Sequence, residues 1–152
     1  MLAVGKTSIK FVEEGIAEYA TRLKRYVPFR MEYLRDVRKG GLTETQQKQQ
    51  EGIMILEKLQ TSDMVILLDE KGTEYTSRGF AEWMERQMST GRKCIVFVIG
   101  GPYGFSSEVY DRADSKVSLS RMTFNHEMVR MFFVEQIYRA MTILRGEPYH
   151  HD

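Results

Sequence analysis

Two uninterrupted apolar runs, Met64 to Leu68 and Cys94 to Ile99, show no polar alternation. That is the pattern of strands covered on both faces of a parallel sheet, so both are expected to be central strands. Between them, Phe80, Met84 and Met88 recur every four residues within Ser77 to Met88. This predicts a crossover helix with Ser77 as its N-cap, and hence a βαβ unit. Ile9, Val12, Ile16, Tyr19, Leu23 and Tyr26, three and four apart after Ser8, predict an earlier helix closed by Pro28. Phe29, Met31 and Tyr33 alternate with Arg30 and Glu32 as in a half-exposed strand, and Arg38-Lys39-Gly40-Gly41 then turns the chain. Thr43 and Gln46 have capping-box spacing. They open a helix whose first turns are wholly polar and whose apolar face begins at Ile53, Leu56 and Leu59. Its front half is expected to project into solvent or meet a polar partner. Lys116 to Leu119 reads as a short last strand, and Val129 to Leu144 as the strongest helix. Met128, Met131 and Val134 spread apolar character beyond one stripe of that helix. This points to a homodimer interface; the alternative is the central helix of a monomer.

The alternation of strands and helices makes the fold class α/β, a mostly parallel sheet with flanking helices, in a single domain over residues 1–152. At 42% hydrophobic and 28% charged residues the chain can bury a continuous core, which excludes a disordered tail or a fibre. A net charge of +1 rules out whole-molecule attraction to nucleic acid or membrane, so a polyanion must be met locally. Arg121, Arg130, Arg139 and Arg145 are the candidates for such a patch, with a solvated helix face as the ordinary alternative. The single cysteine, Cys94, excludes an intramolecular disulfide and a multi-cysteine zinc site, and its apolar surroundings predict burial. The longest apolar runs have five or six residues, against the ~20 that a membrane helix needs. Met1 to Gly5 does not read as a signal peptide, so a cytoplasmic protein is expected.

Ligands in such folds gather where parallel strands end, which singles out three segments. Asp69-Glu70-Lys71-Gly72 follows Leu68, Gly100-Gly101-Pro102-Tyr103-Gly104 follows Ile99, and Ser120-Arg121-Met122-Thr123-Phe124-Asn125-His126 follows Leu119. Glycines in the middle segment let backbone approach a ligand, and Pro102 stiffens the turn. The segment lacks the Gly-Lys-Ser/Thr ending of a phosphate loop and does not match G-x-G-x-x-G, which argues against nucleoside triphosphates and dinucleotides. It suits a ligand without phosphates, although a tight structural turn with no ligand is an equal alternative. His126, His150 and His151 form no HExxH or Cys/His pattern, so no metal site is expected. His126 is read as opening the last helix. The terminal Pro148-Tyr149-His150-His151-Asp152 reads by itself as a frayed end.

Seven pieces, in order and at matching spacing over nearly the whole chain, resemble one family. They are Ala3-Val4-Gly5-Lys6, Leu68-Asp69-x-x-Gly72, Ile99-Gly100-Gly101-Pro102-x-Gly104, Leu119-Ser120-x-Met122-Thr123-x-x-His126, Val129-Arg130, Glu135-Gln136-x-Tyr138-Arg139-Ala140 and Pro148-Tyr149-His150. The family is the RlmH (YbeA-type) group of the SPOUT class, S-adenosylmethionine-dependent methyltransferases of N3 of pseudouridine 1915 in 23S ribosomal RNA. Two departures stand out. Few residues precede Ala3, so the first strand is expected to be short, and the tail carries His151 where a basic residue often follows the first histidine.

The resemblance implies a homodimer with a C-terminal trefoil knot, something hydrophobic periodicity does not signal. It also implies a cofactor site at Leu68, Gly101, Ser120, Arg121, Met122, Thr123, Phe124 and Asn125. The absence of a phosphate-loop lysine agrees, because S-adenosylmethionine carries no phosphate. The imide N3–H must lose its proton, and His150 is the expected base with Glu135 as runner-up. Arg130, Arg139 and Tyr138 are expected to orient the base or grip RNA phosphate. In a dimer the tail of one subunit can complete the other's site. A domain this small has no separate RNA-binding module, and its near-neutral charge predicts weak salt-dependent grip on free RNA, so the expected partner is the assembled ribosome. The rivals are a non-catalytic ribosome-binding or assembly factor, which would bind S-adenosylmethionine poorly, and a flavodoxin-like enzyme, which would need a phosphate-binding loop.

Overall fold

Both apolar runs lie inside a five-stranded parallel sheet of order β2-β1-β4-β3-β5, in a computed structural model that describes residues 1–37 and 41–151. In chain order the elements are β1 (Leu2–Val4), α1 (Lys10–Leu23), β2 (Glu32–Leu34), α2 (Glu44–Lys58), β3 (Asp63–Glu74), α3 (Ser77–Met88), β4 (Cys94–Ile99), α4 (Ser107–Arg112), β5 (Ser115–Ser118) and α5 (Met128–Leu144). β1 is short, as expected, yet it is paired on both sides and fully buried. Side chains alternate across the sheet, so the two faces build separate cores. Ile66, Phe97 and Val117 pack with Val12, Phe80 and Phe133 on the side of α1, α3 and α5. Val65, Leu67 and Val98 pack with Ile55, Phe105 and Val109 on the side of α2 and α4. Burial of each such side chain stabilises the fold by about 1.5–3 kcal/mol, which is why strands without polar alternation end up between two helix layers.

The capping box forms as its spacing predicts. Thr43 N donates to Gln46 Oε1 at 3.0 Å, and Gln46 N to Thr43 Oγ1 at 3.2 Å. The inward face of α2 differs from expectation. Gln47, Glu51, Gly52 and Ile55 are buried while Ile53 is 58% exposed. Gly52 decides this rotation, since a Cβ there would lie 2.4 Å from Ser106 Oγ, and only glycine lets the helix sit so close to the residues that open α4. Thr76 rather than Ser77 caps α3, its Oγ1 accepting from Gly79 N at 3.1 Å. α1 stops at Leu23, well before Pro28. Cys94 is exposed, not buried, because it is the first residue of β4, at the strand's amino end. The turn read at Arg38-Lys39-Gly40-Gly41 lies, but for Gly41, outside the described residues. Within the chain α5 is the central helix of its layer, and Gly15 lets α1 approach Met131 closely. No helix among the described residues is long and apolar enough to cross a membrane.

The start of α1 is closed by a residue far away in sequence. Glu127 accepts from Ser8 N at 2.7 Å, Ser8 Oγ at 2.7 Å and Ile9 N at 2.9 Å, joining the amino ends of α1 and α5. Burial opposes the charge of Glu127. The N–H of Ile9, the hydroxyl and N–H of Ser8, and the nearby Arg130 outweigh that opposition and pull the carboxyl down to about 2 from 4.5. A depressed carboxylate stabilises the fold in full above its unfolded value and loses that contribution as pH falls through the folded one. The melting temperature of the wild type is therefore expected to fall more steeply than that of Glu127→Gln between about pH 4.5 and 2. Parallel melting curves over that range would remove Glu127 as the linked group.

Candidate functional site

Leu68 pairs with Ile99 on one side and Val117 on the other, so the segments after β4 and β5 begin on either side of it. The three segments singled out in the sequence therefore share one end of the sheet. The first is not a loop after a strand. Val117 pairs with both Leu68 and Thr73, and residues 69–72 bulge out between these pairings while β3 continues to Glu74. Gly72 permits the bulge, since a Cβ there would lie 2.5 Å from the Val117 carbonyl carbon. Asp69 is held by the Tyr110 hydroxyl, whose proton is retained more firmly because of burial and that carboxylate.

The glycine segment closes on itself, Gly104 N donating to Gly101 O at 3.2 Å with Gly104 at φ +78°. Beneath it lies Glu51, a buried carboxylate that accepts from Gln47 Nε2 at 2.8 Å. A Cβ on Gly101 would come within 2.5 Å of Glu51 Oε2, so the glycine and the carboxylate fit one space. Glu51 is not among the residues that the sequence singles out. The available signal was the four-residue spacing of Gln47, Glu51 and Ile55, which shares one helical face.

The segment 120–125 is anchored at both ends. Ser120 Oγ accepts from Met122 N at 3.0 Å. Asn125 Oδ1 accepts from Glu127 N at 2.9 Å and Met128 N at 3.2 Å, so Asn125, not His126, opens α5. Between these anchors Arg121, Met122 and Thr123 are exposed, and Phe124 packs against Phe132 with ring centroids 5.7 Å apart. A cleft of about 300 Å³ lies alongside, with Tyr75, Phe80, Leu119, Phe124, Phe132 and Gln136 in its walls. Hydroxyls of Thr76, Ser77 and Ser118 also line it, and among the described residues its lining includes no Lys or Arg.

Gln136 leads to a second cluster. Glu135 Oε2 accepts from Gln136 Nε2 at 2.7 Å, and its Oε1 from Arg139 Nη2 at 2.5 Å and from the Tyr149 hydroxyl at 2.9 Å. The tail is folded back here rather than frayed, because Gly146 takes φ +65° after α5 and Glu147 N returns to Thr142 O at 3.0 Å. The Tyr149 ring lies 4.8 Å from the Arg139 guanidinium and 4.7 Å from Tyr138, and its hydroxyl 3.2 Å from that of Tyr19. Burial, Tyr19 and Glu135 all raise the Tyr149 hydroxyl. Arg139 Nη1 stands 3.3 Å from His150 Nδ1. A guanidinium only donates, so Nδ1 is the acceptor in this bond. His151 is exposed.

Arg130 stands apart from this cluster. It is completely buried and donates from Nη2 to Val4 O at 2.7 Å and from Nη1 to Gly5 O at 2.9 Å and Thr7 Oγ1 at 3.1 Å. Its reading as a phosphate grip gives way to that of an internal tie holding the end of β1 against α5.

A family model described as "Predicted SPOUT methyltransferase" matches residues 1–150. The chain is similar over its full length to curated proteins named Ribosomal RNA large subunit methyltransferase H. The one from Christiangramia forsetii is 54% identical over 152 residues, 99% of this chain and 97% of the relative. That of Parabacteroides distasonis is 52% identical over 153 residues, covering 100% and 98%. That of Flavobacterium johnsoniae is 51% identical over 152 residues, covering 99% and 97%.

Proposed function

The chain belongs to the SPOUT methyltransferase family, and on that premise we propose that it methylates large-subunit ribosomal RNA from S-adenosylmethionine, at N3 of pseudouridine 1915 of 23S RNA within the assembled ribosome. The observation that carries this reading is Gln136, which lines the aromatic cleft and also bonds Glu135 in the Arg139–Tyr149–His150 cluster. A cofactor cleft and a proton-handling cluster then meet on one turn of α5. The residues present fit S-adenosylmethionine: aromatic walls suit its adenine, hydroxyls and an amide suit its ribose, and no basic side chain lines the cleft to repel a sulfonium. The bound cofactor brings an electrophilic methyl group.

The chain's own residues supply position and proton transfer. Of the residues that the resemblance implies, Phe124 lines the aromatic cleft, and Leu68, Gly101, Ser120, Arg121, Met122, Thr123 and Asn125 hold the cofactor from the strand-end segments outside that lining. His150 takes the imide proton. In the folded chain Arg139 occupies Nδ1, the nitrogen able to accept it. An RNA phosphate that draws Arg139 to itself frees that nitrogen, so substrate binding and base activation are one event. Glu135, engaged through both oxygens, aims Arg139 and is the runner-up base. Tyr138 supports the Tyr149 ring. The enzyme works as a cytoplasmic homodimer, and the exposed Met122, Phe124 and Phe132 beside the cleft support a subunit contact there. The trefoil knot belongs to the same reading, as the resemblance implies.

Labelled S-adenosylmethionine supplied with assembled ribosomes or with free 23S RNA, both lacking the modification, tests the proposal, with mass spectrometry locating the methyl. Transfer to one pseudouridine in ribosomes alone is the expected result. No transfer to either substrate, from a protein whose melting temperature the cofactor fails to raise, would leave a non-catalytic ribosome-binding factor instead. Gly101→Ala is a more local test. Its Cβ would fall on the buried Glu51 carboxylate, so the carboxylate or the loop above it must shift. The dissociation constant for S-adenosylmethionine is expected to rise by about tenfold or more, roughly 1.4 kcal/mol, in calorimetric titration. Unchanged affinity would take Gly101 out of the site.

A further inference from the structure

A second cavity, of about 430 Å³, is lined by Glu18, Thr21, Arg22, Arg25, Tyr26 and Tyr138. Its walls alternate flat cations and rings. The Arg22 guanidinium sits 5.5 Å from the Tyr19 ring and 5.8 Å from Tyr138, and Arg145 lies 4.7 Å over Tyr26. Tyr26 meets Tyr138 edge-on with centroids 5.8 Å apart. Glu18 binds Arg22 at 2.8 Å and so fixes the plane of one guanidinium. Arg25 and Arg145 make no ion pair among the described residues and are exposed. Tyr138 is shared between this cavity and the catalytic cluster, where it meets Tyr149 next to His150.

We infer that this cavity is a subsite for ribosomal RNA next to the modified nucleotide, with the rings of Tyr26 and Tyr138 receiving an unstacked neighbouring base and Arg22 and Arg25 its phosphates. The inference rests on the RNA-substrate reading above and deepens it. Single-stranded RNA is recognised by bases splayed onto aromatic rings and guanidinium planes, with arginine forks on the phosphates. A chain of net charge +1 has no long-range field to hold RNA, so its grip must come from such a local group. Arg22 in the last turn of α1 and Arg25 just after its end supply it, and Tyr138 links their cavity to the cluster that holds His150. In the sequence these arginines are indistinguishable from the solvated face of an amphipathic helix.

The test compares wild type, Arg22→Ala/Arg25→Ala, Arg25→Lys and Arg25→Glu. It measures affinity for ribosomes lacking the modification by co-sedimentation, KM and kcat for methyl transfer, and calorimetric affinity for S-adenosylmethionine. The double variant is expected to bind ribosomes about tenfold more weakly and to raise KM by a similar factor, with kcat and cofactor affinity unchanged. Its slope of log affinity against log salt should be shallower by about 1.4, two phosphate contacts at roughly 0.7 each. Arg25→Lys should keep most of the affinity. Should the double variant fail to fold, Arg25→Glu at its exposed position carries the same expectation of about tenfold weaker binding. Unchanged ribosome affinity and salt slope in a folded variant would overturn the inference. So would a change in oligomeric mass, read by light scattering, without a change in ribosome affinity, which would make the cavity a contact between copies. Ribosome binding without methyl transfer by the wild type would sink the enzymatic reading alone, and the co-sedimentation arm would still decide the subsite.

Discussion

His150→Ala is expected to lower kcat for methyl transfer to ribosomes by about 10²- to 10⁴-fold, the usual contribution of a positioned base, with little change in S-adenosylmethionine affinity. The split matters because His150 sits at the tail, bonded to Arg139, and is not part of the aromatic cleft. Loss of the imidazole removes the proton acceptor without altering a cofactor contact. Raising the pH offers a second readout. The imide proton is lost more readily at high pH, so the deficit of the variant should shrink as pH rises, while wild type gains less. A variant that kept full turnover on modification-deficient ribosomes would remove His150 from the mechanism and leave Glu135, aimed by Arg139 and Tyr149, as the group to replace next.

Arg130→Ala has the largest expected effect on stability, a loss of about 3–5 kcal/mol in denaturant unfolding. Removing the guanidinium strands the carbonyls of Val4 and Gly5 and the Thr7 hydroxyl inside the protein, and leaves Glu127 without a nearby cation. Arg130→Lys should recover only part of the loss, since one ammonium cannot reproduce the fork that spans Val4 and Gly5. If the alanine variant were as stable as wild type but bound ribosomes poorly, the buried tie described here would be wrong and a phosphate contact would regain its place.

What could be read from the chain was local. The lack of polar alternation in Met64 to Leu68 and Cys94 to Ile99 reports burial on both faces, and the structure makes these β3 and β4, two of the three inner strands of the sheet. The Thr43–Gln46 spacing sets a cap that four consecutive residues close by themselves. The glycine segment advertises close backbone approach wherever it is placed, and Gly101 indeed leaves no room for a side chain.

Decisions that join distant parts of the chain were not legible. Ile53 reads as inward and Glu51 as part of a polar face, because periodicity gives the apolar content of a helix but not its rotation, which the contact of Gly52 with Ser106 sets. Cys94 looks buried by its neighbours, yet it occupies the exposed end of its strand. Glu127, Arg130 and Tyr149 are ordinary polar or aromatic residues in the sequence. Folding brings them to Ile9, Val4 and Glu135, where they satisfy groups more than a hundred residues away or fold the tail into a cluster. Near neighbours and side-chain identity suffice to mark most of the strands and helices, though not α4 or the continuation of β3 to Glu74, and the residues that carry a family's pattern. Only the tertiary structure decided which buried charge meets which backbone group and which arginines face a cavity, because a hydrogen bond or a stacked ring is a property of two surfaces brought together.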